Sequence, residues 1–104
     1  MAEYPVRRPL RRPPSHPGVL MREILEAHLR LSIAAAARRM RVSRQSLHAV
    51  LAGKAAVSAD MALRFARLAG SSPDLFLNMQ SGFDLWQAEQ RLRDILPEIE
   101  PAAA

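Results

Sequence analysis

The side chains able to do specific chemistry crowd into one short stretch, Arg44-Gln45-Ser46, with His48 one helical turn on. Arginine presents a planar fork of N–H donors that matches the edge of guanine. Glutamine presents a donor and an acceptor that match the edge of adenine. Leu47, Val50 and Leu51 recur at helical spacing, which gathers them on one side and leaves Arg44, Gln45, Ser46 and His48 on the other. The chemistry implied is hydrogen bonding by the first turn of a helix to base edges. His48 fits two readings, a contact to a nucleic-acid backbone or base edge and a plain exposed helix position.

Two elements must position that corner. A helix from Arg44 to Ala52 starts after Ser43, an N-cap residue type, and stops at Gly53, the residue type favoured just past a helix end. A helix from Ile33 to Arg39 precedes it, capped by Ser32. Its alanines at 34–37 are small enough to let a neighbouring backbone come close. Two short helices joined by a tight turn, the second with guanidinium, amide and hydroxyl groups in its first turn, make the helix-turn-helix arrangement. Phosphate contacts in that arrangement fall to Ser32, Arg38, Arg41, Ser43 and Lys54, together with the amides at helix N-termini.

The pattern S-x-x-x-A-A-x-x-M-x-V-S-R-Q-S-L-x-x-V-L-x-G, from Ser32 to Gly53, resembles the phage-repressor (Cro/C1, XRE) type of helix-turn-helix. His16-Pro17-Gly18 ahead of it, SADMALRFARLAGSSPDLFLNMQ after it and FDLWQAE beyond narrow the resemblance to HigA-type antitoxins, including the VapI-like virulence-associated proteins, over residues 16–90. The resemblance implies an all-α, five- to six-helix, lambda-repressor-like DNA-binding domain. It implies base reading at Arg44, Gln45, Ser46 and Ala49, the last limited to a methyl contact such as one to thymine. It also implies a homodimer on palindromic double-stranded operator DNA, with recognition helices about 34 Å apart in successive major grooves. The biology implied is repression of the protein's own operon and neutralisation of a RelE-type ribonuclease toxin. Two positions depart from the pattern. Many such motifs carry a phosphate-clamping glutamine where Ile33 stands, and the turn usually has glycine where Arg41 stands. An arginine in the left-handed region costs on the order of 1 kcal/mol. These departures leave open a protein-interaction scaffold that has lost DNA binding, and an orphan repressor without a toxin is a second alternative.

Composition bounds the rest. A chain of 104 residues is one domain, large enough for a small helical core. Few aromatics and no sustained alternation of β-branched residues argue against strands. There is no cysteine, no apolar run of membrane-spanning length and no leader-like N-terminus, so a cytoplasmic protein is expected. Of the net charge of +5, residues 1–17 supply +3, residues 18–80 supply +5 and residues 81–104 supply −3. A basic front and an acidic back suit a protein that lays one end on nucleic acid, although solvated surface arginines give the same count. The histidines at 16, 28 and 48 lack metal-ligand spacing, no serine has an evident base and no glycine-rich phosphate loop exists. No enzyme, metal, cofactor or small-molecule ligand is expected.

Residues 1–15 hold four prolines and Arg7, Arg8, Arg11 and Arg12, an arm that could follow a minor groove or be a plain tail. The domain proper is read as residues 16–80. It opens with a helix from Gly18 to His28, facing inward through Leu20, Ile24 and Leu25. After Lys54, Ser58 caps a helix Ala59–Ala69 with Met61, Leu63, Phe65, Ala66 and Leu68 as its core side. Ser72-Pro73-Asp74 starts the next, with Leu75, Phe76, Leu77 and Met79 as its apolar side. Ser81-Gly82 reads as a break, followed by a C-terminal helix from Phe83 to about Ile95 within residues 81–104. Its apolar surplus exceeds what a small core can bury. Trp86 is expected as a core anchor, and Phe83, Leu92 and Ile95 as a dimer interface.

Overall fold

The computed structural model describes residues 12–103, and within them the architecture is all-α. Five helices follow in order: α1 (Pro17–Glu23), α2 (Ile33–Met40), α3 (Arg44–Leu51), α4 (Ala59–Ala69) and α5 (Pro73–Arg91). Four of the five begin on a serine or histidine whose side chain accepts a hydrogen bond from an amide three residues on or fewer: His16 to Gly18, Ser32 to Ala35, Ser43 to Ser46 and Ser58 to Met61. Ser72 does the same more loosely for α5, at 3.3 Å from the Asp74 amide. Each cap satisfies an amide that the helix itself leaves open.

The first helix differs from expectation. It starts one residue earlier, at Pro17, and widens after Glu23 into a π-helical turn, Ile24–Leu29, that closes on Arg30 in the left-handed region (φ 52°). A π turn brings residues five apart into line. That lets Ile24 and Leu29 both lean on the core while Leu25 is fully buried.

The core holds Met21 and Leu25 from the first helical segment, Ala36, Ala37 and Met40 from α2, and Leu47, Val50 and Leu51 from α3. Val57, Met61, Ala62, Phe65, Ala66 and Phe76 complete it. Phe65 and Phe76 meet edge to face, centroids 5.2 Å apart, and pin α4 to α5. Leu63 and Leu75, expected inside, are 58% and 44% exposed. The buried stripe of α4 runs through 61, 62, 65 and 66, and position 63 lies off it by geometry.

The expected break at Ser81-Gly82 is absent: α5 runs unbroken from Pro73 to Arg91. One glycine costs a helix only about 1 kcal/mol relative to alanine. The two halves are also tied by Gln80, whose amide donates to Asp84 Oδ1 at 2.8 Å across the glycine. The helix stops four residues earlier than expected, and after a turn a short 3₁₀ segment, Leu96–Glu98, carries Pro97. Trp86 is half-buried beside Gln87, Gln90 and Arg91 and does not join the core cluster. No helix among the described residues is long and apolar enough to cross a membrane.

Candidate nucleic-acid interface

Helix α3 presents two opposed sides. Leu47, Val50 and Leu51 are buried, whereas Arg44, Gln45, Ser46 and His48 are exposed and Ala49 is half-buried. Ser43 Oγ accepts from the Ser46 amide at 3.0 Å and donates to Ser46 Oγ at 2.7 Å. The cap thereby uses the Ser43 hydroxyl hydrogen internally and leaves the Ser46 hydroxyl as the donor that faces outward. Ser32 accepts from Ala35 and keeps its own hydroxyl hydrogen for an external acceptor. Arg38, Arg41 and Lys54 are exposed. Gln45, Ser46 and Ala49 line a shallow groove whose far wall is Ala55, Ala56 and Ser58.

The charge of this region is one-sided. Residues 27–59 contain Arg30, Arg38, Arg39, Arg41, Arg44 and Lys54 and no aspartate or glutamate. Six exposed cations in a stretch without an acid, with a guanidinium–amide pair at the start of α3, suit a polyanion whose edges can be hydrogen-bonded.

The turn between α2 and α3 shows how the sequence manages without glycine. Arg41 has φ 59° and ψ 44°. The Val42 amide reaches Ala37 O at 3.0 Å, the six-to-one bond of a Schellman ending. Arg64, from α4, donates from one guanidinium nitrogen to Met40 O at 2.8 Å and to Arg41 O at 3.2 Å, while its Nε lies 3.5 Å from Asp60 Oδ2. Three of the open carbonyl ends are thus satisfied, and the left-handed arginine is held in place from behind. Sequence reading did not single out Arg64, whose only local signal is its spacing of four from Asp60.

Two further residues were missed. His16 is 7% exposed; its Nδ1 accepts from the Gly18 amide at 2.9 Å, so Nε2 carries the hydrogen and donates to Ala55 O at 3.0 Å. Gly18 is required beside it, because a Cβ there would lie 2.1 Å from Val50 O, so α1 crosses α3 backbone against backbone. Gln80 is 6% exposed and accepts from the Val57 amide at 2.8 Å.

Of the expected arm, Arg7, Arg8 and Arg11 lie outside the described residues, and Arg12 is exposed and outside any helix. At the other end, Leu92 and Ile95 are exposed, along with Leu85, Leu96 and Ile99. Phe83 is half-buried, its ring edge-on to His16 at 5.2 Å. No group of three or more potential metal ligands exists among the described residues.

Comparison with known proteins agrees with this geometry. A family model described as a helix-turn-helix domain matches residues 10–78. Virulence-associated protein I of Dichelobacter nodosus is 35% identical over 83 residues, 80% of this chain and 77% of its own. Among solved structures, the antitoxin GraA in complex with its operator is 35% identical with a TM-score of 0.81, covering 95% of this chain and 99% of that one. The Pseudomonas aeruginosa antitoxin HigA with the higBA promoter is 33% identical with a TM-score of 0.79, over 86% and 98%. By sequence, by matched model and by fold, the chain belongs to the phage-repressor type of helix-turn-helix family, with the HigA- and GraA-type antitoxins as its structural neighbours.

Proposed function

We propose that this protein is a DNA-binding antitoxin that acts as a homodimer, represses its own operon and neutralises a RelE-type ribonuclease toxin. The observation that carries the DNA reading is the exposed Arg44–Gln45–Ser46 corner on a helix whose other side is buried. Arg44 reads guanine, Gln45 reads adenine, and Ala49 offers a methyl contact. Ser32, Arg38, Arg41, Ser43 and Lys54 lie along the phosphates, Ser43 as the cap at the N-terminus of α3. Operator complexes of GraA and HigA support the reading, since both share this fold over nearly their whole length. Dimerisation rests on the exposed apolar side chains of residues 85–99, with Leu92 and Ile95 central and Phe83 at the edge. The protein works in the cytoplasm, where its operator and toxin are.

The test is a gel shift on the promoter upstream of the protein's own gene. Wild type should bind. Arg44→Ala and Gln45→Ala should each weaken binding by about 1–3 kcal/mol, and binding should fall steeply with salt as phosphate neutralisation releases counterions. Equal binding by all three proteins refutes the assignment of α3. Ile33, which cannot clamp a phosphate, favours a second reading as an interaction scaffold, and absence of wild-type binding alongside toxin capture would establish it.

A further inference from the structure

We propose that His16 and Gln80 are positioning residues for the nucleic-acid interface, acting from two distant elements on the loop that carries Lys54. The inference rests on the DNA-binding reading above.

The chain between α3 and α4, residues 52–58, has no regular structure of its own. Its start is tied to α3: Gly53 reaches Val50 O, and the amides of Lys54 and Ala55 both reach Ala49 O, at 3.0, 2.9 and 3.2 Å. Its remainder is held by two buried side chains from far along the sequence. His16 Nε2 donates to Ala55 O, 39 residues away, and Gln80 Oε1 accepts from the Val57 amide, 23 residues away. Neither holding side chain is loose. The other nitrogen of His16 is fixed by the Gly18 amide and its ring by Phe83, while the amide nitrogen of Gln80 is fixed by Asp84. No buried polar side-chain atom among the described residues lacks a partner.

This arrangement is directional in a way that apolar burial is not. Methionine or leucine could fill either position by volume, but only a hydrogen bond of defined length sets where Ala55 O and Val57 N stand. Lys54 is flanked by the Ala49 bonds on one side and these two bonds on the other. The backbone that carries its exposed side chain is therefore set relative to the base-reading corner of α3, and the placement of the loop is tied to α5 and the start of α1.

The test uses fluorescence anisotropy on a duplex from the protein's own promoter, at a temperature where circular dichroism shows every variant folded. Gln80→Met keeps the bulk and loses the acceptor. His16→Asn keeps an acceptor for the Gly18 amide and cannot reach Ala55 O. Each should weaken binding about five- to tenfold at 0.1 M salt and lower the salt slope by about one, the loss of one phosphate contact. In a Lys54→Ala background the same substitutions should change affinity less than twofold, because the contact they position is gone. The paired exchange Gln80→Glu with Asp84→Asn restores an acceptor for Val57 at unchanged net charge and should restore both affinity and slope. Folded variants that bind as wild type does, or that lose as much affinity in the Lys54→Ala background, overturn the proposal and leave the DNA reading intact. A wild type that binds no promoter fragment overturns both.

Discussion

Gly18→Ala should be the most damaging small substitution in the chain, and the structure allows its size to be worked out. The added methyl would stand 2.1 Å from Val50 O, 3.0 Å from His16 Nδ1 and 3.1 Å from Leu51 Cα. Carbon and carbonyl oxygen approach no closer than about 3.3 Å, so α1 and α3 must part by about 1.2 Å. Both are held by backbone, and no flexible side chain can give way. A gap of that size forfeits a quarter to a half of the dispersion energy across it, here between Met21 and Leu25 on one side and Leu47 and Val50 on the other. Overpacking of this kind costs about 1–3 kcal/mol, and loss of the His16 cap adds about 1 kcal/mol. The sum, roughly 3 kcal/mol, is a large share of a stability of about 5–15 kcal/mol. With about 4 °C or more of melting temperature per kcal/mol for a chain of this size, the midpoint should drop by ~12 °C or more. The control is the same substitution at Gly82. No atom lies within 4 Å of the added methyl there, and the residue is inside α5. Gly82→Ala should therefore raise stability by about 0.5–1 kcal/mol. Thermal melts by circular dichroism measure both. A Gly18→Ala midpoint within about 3 °C of wild type would show that backbone-to-backbone contact does not set the crossing of these helices.

Arg41→Gly separates fold from interface: it removes left-handed strain of about 1 kcal/mol, so the melting temperature should hold or rise, while operator affinity falls and the salt slope drops by about one. A variant that is both stabilised and fully competent would remove Arg41 from the phosphate contacts. Leu92→Asp with Ile95→Asp should leave the helical content intact and shift the mass by light scattering from dimer to monomer. An unchanged dimer would move the interface elsewhere.

The recognition segment was legible in the sequence because its signals are local. Ser32 and Ser43 cap the helices they were expected to cap, Gly53 and Gly70 adopt the left-handed endings their type suggests, and the Leu47–Val50–Leu51 stripe is buried. The features that escaped notice are settled by partners far along the chain. His16 meets Ala55, Gln80 meets Val57, and Arg64 reaches back 24 residues to Met40. No periodicity marks such pairings. The continuity of α5 was misread for a related reason: Ser81-Gly82 is a local breaker, outweighed by Phe76 and Gln80 seated in the domain on one side and Phe83 on His16 on the other. Leu63 and Leu75 were misplaced because an apolar residue type says nothing about which way a helix is rotated.

The unbroken α5 has a consequence for how a pair of these molecules would measure DNA. Nineteen residues make a rod about 28 Å long, with its first half set into the domain and its far end leading to the apolar side chains proposed to meet the partner. No break lies within the rod up to Arg91, so in the proposed dimer its residue count would help set the separation and mutual angle of the reading heads. Inserting a single alanine after Gln87 would swing the far end by about 100° and lengthen the rod by about 1.5 Å. In the proposed dimer, operator spacing would accordingly be a ruler cut in helical turns, open to retuning by residues added or deleted there without altering any group proposed to touch a base.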